Sequence, residues 1–120
     1  FEHRSYGEEL ALCQRYYQHY AQADGSSIPG NGVWRNSTRA DTTMILPVLM
    51  RATPTIAAVS ITNVDVYAGG SGADASAVAN NGSSPNCVGL NWTSSGGADG
   101  EGVYLYASGA VAGFTADSEL

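Results

Sequence analysis

Two hydrophobic periods divide the chain. Near the N-terminus, Tyr6, Leu10, Cys13, Tyr17 and Tyr20 recur at alternating intervals of four and three, the a/d spacing of a coiled-coil seam. This spacing predicts a helix that starts at Tyr6 behind Ser5 as N-cap, with Glu8 at the capping-box position. The helix is expected to fade around residues 21–23, before the turn formers Asp24-Gly25-Ser26-Ser27. A helix docked on its own domain carries a broader apolar face. Here the stripe is narrow and aromatic, between Glu8, Glu9, Gln14, Arg15, Gln18 and His19, so the helix is expected to meet copies of itself.

Beyond residue 24 the period changes to two. The segment IPGNGVWRNSTRADTT is rich in turn formers and is expected to be a connection with one short strand at 32–35. MILPVLMRAT is strongly apolar, but Pro47 cannot donate to a ladder and belongs at an edge or bulge. PTIAAVSIT, VDVYA, CVGLNWT, VYLYA and AVAGFTADSEL follow as strand candidates. In VYLYA, Val103 and Leu105 take one face and Tyr104 and Tyr106 the other; Val64 and Val66 likewise share a face. AGGSGADASAVANNGSSPN reads as a long loop or weak, Gly-interrupted strands. The fold class is therefore mainly β with one N-terminal helix (α+β): an antiparallel β-sandwich after a short coiled-coil-like helix. Residues 1–24 form an oligomerisation helix and 25–120 the β-sandwich domain.

Charge narrows the partners. Five basic residues against eleven carboxylates give a net charge of −6, and the chain contains no lysine. It lacks the basic footprint of a nucleic-acid binder, and attraction to anionic membranes is disfavoured. No run is long and apolar enough to span a bilayer as a helix. Phe1-Glu2-His3-Arg4 is not the start of a signal peptide, since no apolar stretch follows; the chain reads as a piece of a longer one. Cys13 and Cys87 match no metal spacing. Two free thiols are preferred over a disulfide.

The chemistry-bearing residues are few. His3 and His19 are the only histidines, and no nucleophile elbow surrounds Ser37 or another serine that could combine with Asp41. Asp99 and Glu101 are the closest carboxylate pair for glycoside hydrolysis, but alternate residues beside glycines fit a solvated turn better. Asp65, Asp74 and Asp99 could offer oxygens to calcium, yet no calcium-loop motif contains them. Neither a catalytic site nor a metal or cofactor is expected. Three Asn-x-Ser/Thr tripeptides, at Asn36, Asn81 and Asn91, are discounted as common in such loops. Sugar binding asks for less: an aromatic platform and a few polar groups. The candidates are Trp34, Tyr67, Asn91, Trp92, Tyr104 and Tyr106, with Asn36 and Asp65 near them in sequence. For Trp34 and Trp92, anchoring of the core or of a subunit interface outweighs that role. For Tyr104 and Tyr106 the alternatives balance. Arg35, Arg39 and Arg51 could pair with carboxylates between subunits, a structural role.

The opening, Phe1-Glu2-His3-Arg4 followed by Tyr6-Gly7-Glu8-Glu9-Leu10-Ala11-Leu12-Cys13-Gln14-Arg15-Tyr16-Tyr17, resembles a segment near the C-terminal end of many bacteriophage and prophage tail proteins. There it leads into a terminal β-domain. PVLMRATPT at 47–55 and the final FTADSEL are similar to strands of such tips. The resemblance implies the distal receptor-binding tip of a tail fibre, a homotrimer attached to an upstream fibre module. It implies a virion component made in the bacterial cytoplasm, which adheres to a bacterial surface polysaccharide or other receptor without catalysis. The seam Tyr6, Leu10, Cys13, Tyr17 and Tyr20 would then be the oligomer interface, and loops 69–86 and 94–102 would carry the contact. The alternatives are a trimerisation or capping domain that never touches a receptor, and a small glycan-modifying tip enzyme.

Overall fold

The computed structural model describes residues 5–118. Residues 1–4, with His3 and the first letters of the opening motif, and residues 119–120 lie outside the described residues. Within the described residues one helix, α1 (Tyr6–Gln14), precedes ten strands: β1 (Tyr17–His19), β2 (Ser27–Asn36), β3 (Arg39–Ile45), β4 (Thr55–Val59), β5 (Val64–Ala68), β6 (Ser71–Asp74), β7 (Ala77–Asn80), β8 (Cys87–Thr93), β9 (Gly102–Ala107) and β10 (Gly113–Asp117). A 3-10 turn, Ile61–Asn63, leads into β5. The strands form a three-stranded sheet, β1-β10-β4, and a seven-stranded sheet, β6-β5-β9-β2-β3-β8-β7, with antiparallel neighbours throughout. The two sheets pack in a curled sandwich, as the alternating strands predict.

Period two decides what lies inside. Val64, Val66, Val88, Leu90, Trp92, Val103 and Leu105 are all buried, while their neighbours in sequence turn outward. Across the sandwich, β10 contributes Phe114, whose ring meets the Trp92 indole edge-on at 6.2 Å and Tyr20 at 5.3 Å. Trp92 is sealed in the core, and its indole N–H donates to Thr42 Oγ1 at 3.0 Å. Burial without that acceptor would leave an unpaired donor in an apolar medium.

The expected long helix stops at Gln14. The capping box forms as the sequence predicts: Glu8 N–H donates to Ser5 Oγ and Ser5 N–H to the Glu8 carboxylate. The chain then turns at Arg15 and Tyr16, and residues 17–19 pair with β10 in register Tyr17↔Asp117, Gln18↔Ala116, His19↔Thr115. Tyr17 and Tyr20 are therefore not on the helix. Tyr20 packs against Phe114, and its hydroxyl donates to Gln18. Gln18 is buried, and its amide donates to the Gln14 carbonyl at 2.9 Å and the Val48 carbonyl at 3.1 Å. Tyrosine is β-prone as well as compatible with a helix, and pairing with β10 decides between the two, with Gln18 rather than a tyrosine turned inward from β1.

Other boundaries differ in detail. The segment read as a connection holds most of β2 and β3, joined at Asn36, whose side-chain oxygen accepts from Thr38 N–H at 2.9 Å and Thr38 Oγ1 at 3.0 Å. The register of β2 against β9 shifts between Ile28 and Asn31, around Pro29 and Gly30, which let the strand bulge. Pro47 lies after β3 rather than in a strand. Arg35 and Arg39 pair with Asp41 of the same chain, at 3.0 and 2.9 Å. Cys13 and Cys87 are free thiols.

Candidate functional site

The outer face of the seven-stranded sheet carries the aromatic cluster. Tyr67 on β5 stands opposite Tyr104 on β9, with ring centroids 5.3 Å apart, and lies 5.9 Å from Tyr106 on the diagonal. The three rings form one patch, of which Tyr104 is the most open at 43 % exposure. Gly72 of β6, opposite Tyr67, makes room for it: a Cβ there would fall inside the Tyr67 ring. The ring thus lies down over the edge strand instead of standing off it.

Polar groups border the patch through the register. Asn31 stands opposite Tyr104 on β2, Ser27 opposite Tyr106, and Asp65 opposite Tyr106 on β5. Asp65 in turn faces Asp74 across β6. Asp65 Oδ1 is buried with no hydrogen-bond partner. Burial first, then the Asp74 carboxylate opposite, push the Asp65 carboxyl above the usual aspartate range, against a hydrogen bond with Ser108 that lowers it. Like-charged groups directly opposite in a ladder repel.

The six predicted ligand residues divide. Tyr67, Tyr104 and Tyr106 come together. Asn91 turns to the same outer face, but on β8, with β2 and β3 between it and β9, roughly 14 Å away at ordinary strand spacing. Trp92 is in the core, as the anchoring alternative had it. Trp34 points inward too, yet it borders a cleft of about 470 Å³ on the other side of the β5–β6 hairpin. That cleft runs between the hairpin, with Ala68, Gly69 and Ser71, and the 94–101 loop, with Ser95, Gly96 and Glu101.

The loop is firmly held. Trp34 N–H donates to the Glu101 carbonyl and Gly100 N–H to the Trp34 carbonyl, both at 2.8 Å. Ser94 is buried, and its hydroxyl reaches the Ala73 and Asp74 carbonyls at 3.1 and 3.0 Å, tying the loop to β6. Gly97 lies flat on the indole of Trp34, where a Cβ would enter the ring. Sequence reasoning missed Asn31 and the cleft role of Glu101. Only alternation through Gly30-Asn31-Gly32-Val33 could have found the first; the second depends on a long-range pairing.

Among the described residues, no group of three or more His, Cys, Asp and Glu side chains is placed to hold a metal ion. Asp41 is committed to its two arginines, and His19 is exposed on β1. No helix of the described residues is long and apolar enough to cross a membrane. Comparison with family models, with curated proteins and with solved structures gave no match.

Proposed function

We infer that the chain is an adhesion module: a homotrimeric tail fibre tip whose tyrosine face holds a neutral glycan of a bacterial surface. The observation that carries the binding reading is the packed Tyr67–Tyr104–Tyr106 patch on an open sheet face, bordered by Asn31 and Ser27. Aromatic faces take the C–H side of a sugar ring and amides take its hydroxyls. The net charge of −6 opposes anionic chains.

The tail fibre part rests on the sequence resemblance, and one structural fact supports it as an architecture. Its three stretches meet in space. Arg51, in the 47–55 stretch, donates its N–H to the Arg15 carbonyl at 2.8 Å, and its guanidinium lies over the Tyr16 ring. Ser118, in the final stretch, donates its hydroxyl to the same Arg15 carbonyl at 2.8 Å and its N–H to the Tyr16 carbonyl. They form one root for α1, which buries none of its own residues.

The helix supports assembly, and equally the reading as a trimerisation cap. Tyr6 is 82 % exposed, and Leu10 and Leu12 are also open. A nine-residue helix is marginal in water without a packed face. Copies of the chain would cover the Tyr6–Leu10–Cys13 side, the helical part of the expected seam. Tyr17 borders an apolar groove with Leu10 and Pro47, so it can join that contact from its strand.

A panel of neutral and acidic bacterial polysaccharides tests the adhesion reading. Wild-type chain should retain neutral glycans, and Tyr104→Ala should lose that binding while keeping its fold. Undiminished binding by Tyr104→Ala, or none by the wild type, favours the cap.

A further inference from the structure

The cleft inside the β5–β6 hairpin differs chemically from the tyrosine face on its outside. Its walls are small: Gly69, Ser71, Ala73, Ser95 and Gly96 leave about 470 Å³ free, within the range of small-molecule sites and too small for a long chain. Small residues alone would mark nothing. The independent sign is Trp34. It is only 2 % exposed, yet its indole N–H has no acceptor among the described residues. Nor is that N–H among the polar atoms sealed from solvent, of which Asp65 Oδ1 is the unpaired one among the described residues. Trp92, equally buried, has its N–H satisfied by Thr42. The ring is buried but its donor has no protein partner and is not sealed, so it is open to water or to a ligand that displaces it.

The remaining groups complete a polar ring. Glu101 borders the cleft with no cationic partner among the described residues, so its carboxylate is free to accept. Its Oε1 lies close over Gly69, 2.9 Å from where a Cβ would stand, which places it across the mouth of the hairpin. The hydroxyls of Ser71 and Ser95 can donate or accept. The walls are preformed, because Ser94 joins the loop to β6 and the Trp34 main chain clasps the loop at Gly100 and Glu101. A site with one deep donor, one acidic acceptor and two hydroxyls, with no cation, suits an uncharged molecule dense in hydroxyl groups. An anion would face Glu101 unpaired.

We propose that this cleft is a second binding site, which takes one neutral pyranose ring, with Trp34 Nε1–H donating to a ring hydroxyl and Glu101 accepting from others. It is independent of the tyrosine face: the two sites lie on opposite sides of one hairpin and share no ligand-facing side chain. No bond is made or broken.

The chain has two tryptophans, so the test can be read atom by atom from the two indole N–H signals in a heteronuclear NMR spectrum. Trp34→Phe identifies the Trp34 signal by its disappearance. Titration of the full chain with neutral methyl hexopyranosides, and with a hexuronate as the anionic control, should shift the Trp34 signal saturably and leave that of Trp92 in place. Ser95→Trp, which fills the cleft from an exposed loop position, should abolish the shift. Trp34→Phe, followed through the Gly96 amide, should weaken binding roughly tenfold, the worth of one buried hydrogen bond. Tyr104→Ala should leave the titration unchanged, so failure of the tyrosine face and failure of the cleft are separately visible. A Trp34 signal unmoved by every neutral sugar up to about 100 mM, far above the millimolar range of a weak single-ring site, overturns the proposal. So does an equal shift in Ser95→Trp, or a hexuronate bound as well as the neutral rings.

Discussion

At the root of α1 the Arg15 carbonyl receives two donors, from Arg51 and Ser118, and the buried Gln18 amide finds two carbonyls. At the β5–β6 hairpin the balance is reversed. Asp65 Oδ1 is buried and unpaired, a second carboxylate faces it from Asp74, and the Trp34 N–H has no protein acceptor. Both regions are tied down by long-range hydrogen bonds, so the difference is not one of order. The root uses its polar groups on itself; the hairpin keeps some of its own available. A buried group left unpaired, as Asp65 Oδ1 is, costs stability; the proposed cleft site would use the open Trp34 donor.

The comparison can be broken at several strengths. Leu10→Asp acts on the exposed helix and, under the proposed assembly through α1, should give single chains by light scattering, because a charge would enter that contact. The sandwich should keep its unfolding midpoint, since α1 buries nothing against it. An unchanged mass removes the helix from the interface. Phe114→Ala, between the sheets and against both Trp92 and Tyr20, should cost about 3–5 kcal/mol in denaturant titration. A loss under 1 kcal/mol, small on the same scale, would mean that the two sheets do not share one core.

Smaller effects separate the root from the hairpin. Ser118→Ala removes one donor from Arg15 and should cost roughly 1 kcal/mol, with faster amide exchange in α1 and unaltered sugar binding. Asp65→Asn should act in the other direction and stabilise the chain at neutral pH by about 0.2–1 kcal/mol, the scale of a cross-strand pair. The sign follows from the raised Asp65 carboxyl. The folded state holds its proton to higher pH than the unfolded chain does, so wild-type stability falls as pH rises from the usual aspartate range through that raised value. In Asp65→Asn that slope should flatten. A wild type whose stability rises across the same window contradicts the placement of Asp65 opposite Asp74.

Much of this molecule was legible in one dimension. The alternation in VDVYA and VYLYA put Val64, Val66, Val103 and Leu105 inside and the tyrosines outside, because a pleated strand sends successive side chains to opposite faces. The Ser5–Glu8 capping box was equally local. The chain alone also set the acidic charge and supplied the aromatic residues. What it could not decide was anything that depends on a distant partner. Tyr17 and Tyr20 satisfy a helical period, and only pairing with β10, about a hundred residues later, put Tyr17 into a strand and hung Tyr20 from the Phe114 carbonyl just beyond it. Trp34 and Trp92 lie in similar local surroundings, GVWRN and GLNWT. One meets Thr42 and the other a cleft, because hydrogen-bond partners are assigned by how strands come together in space and not by their neighbours along the chain.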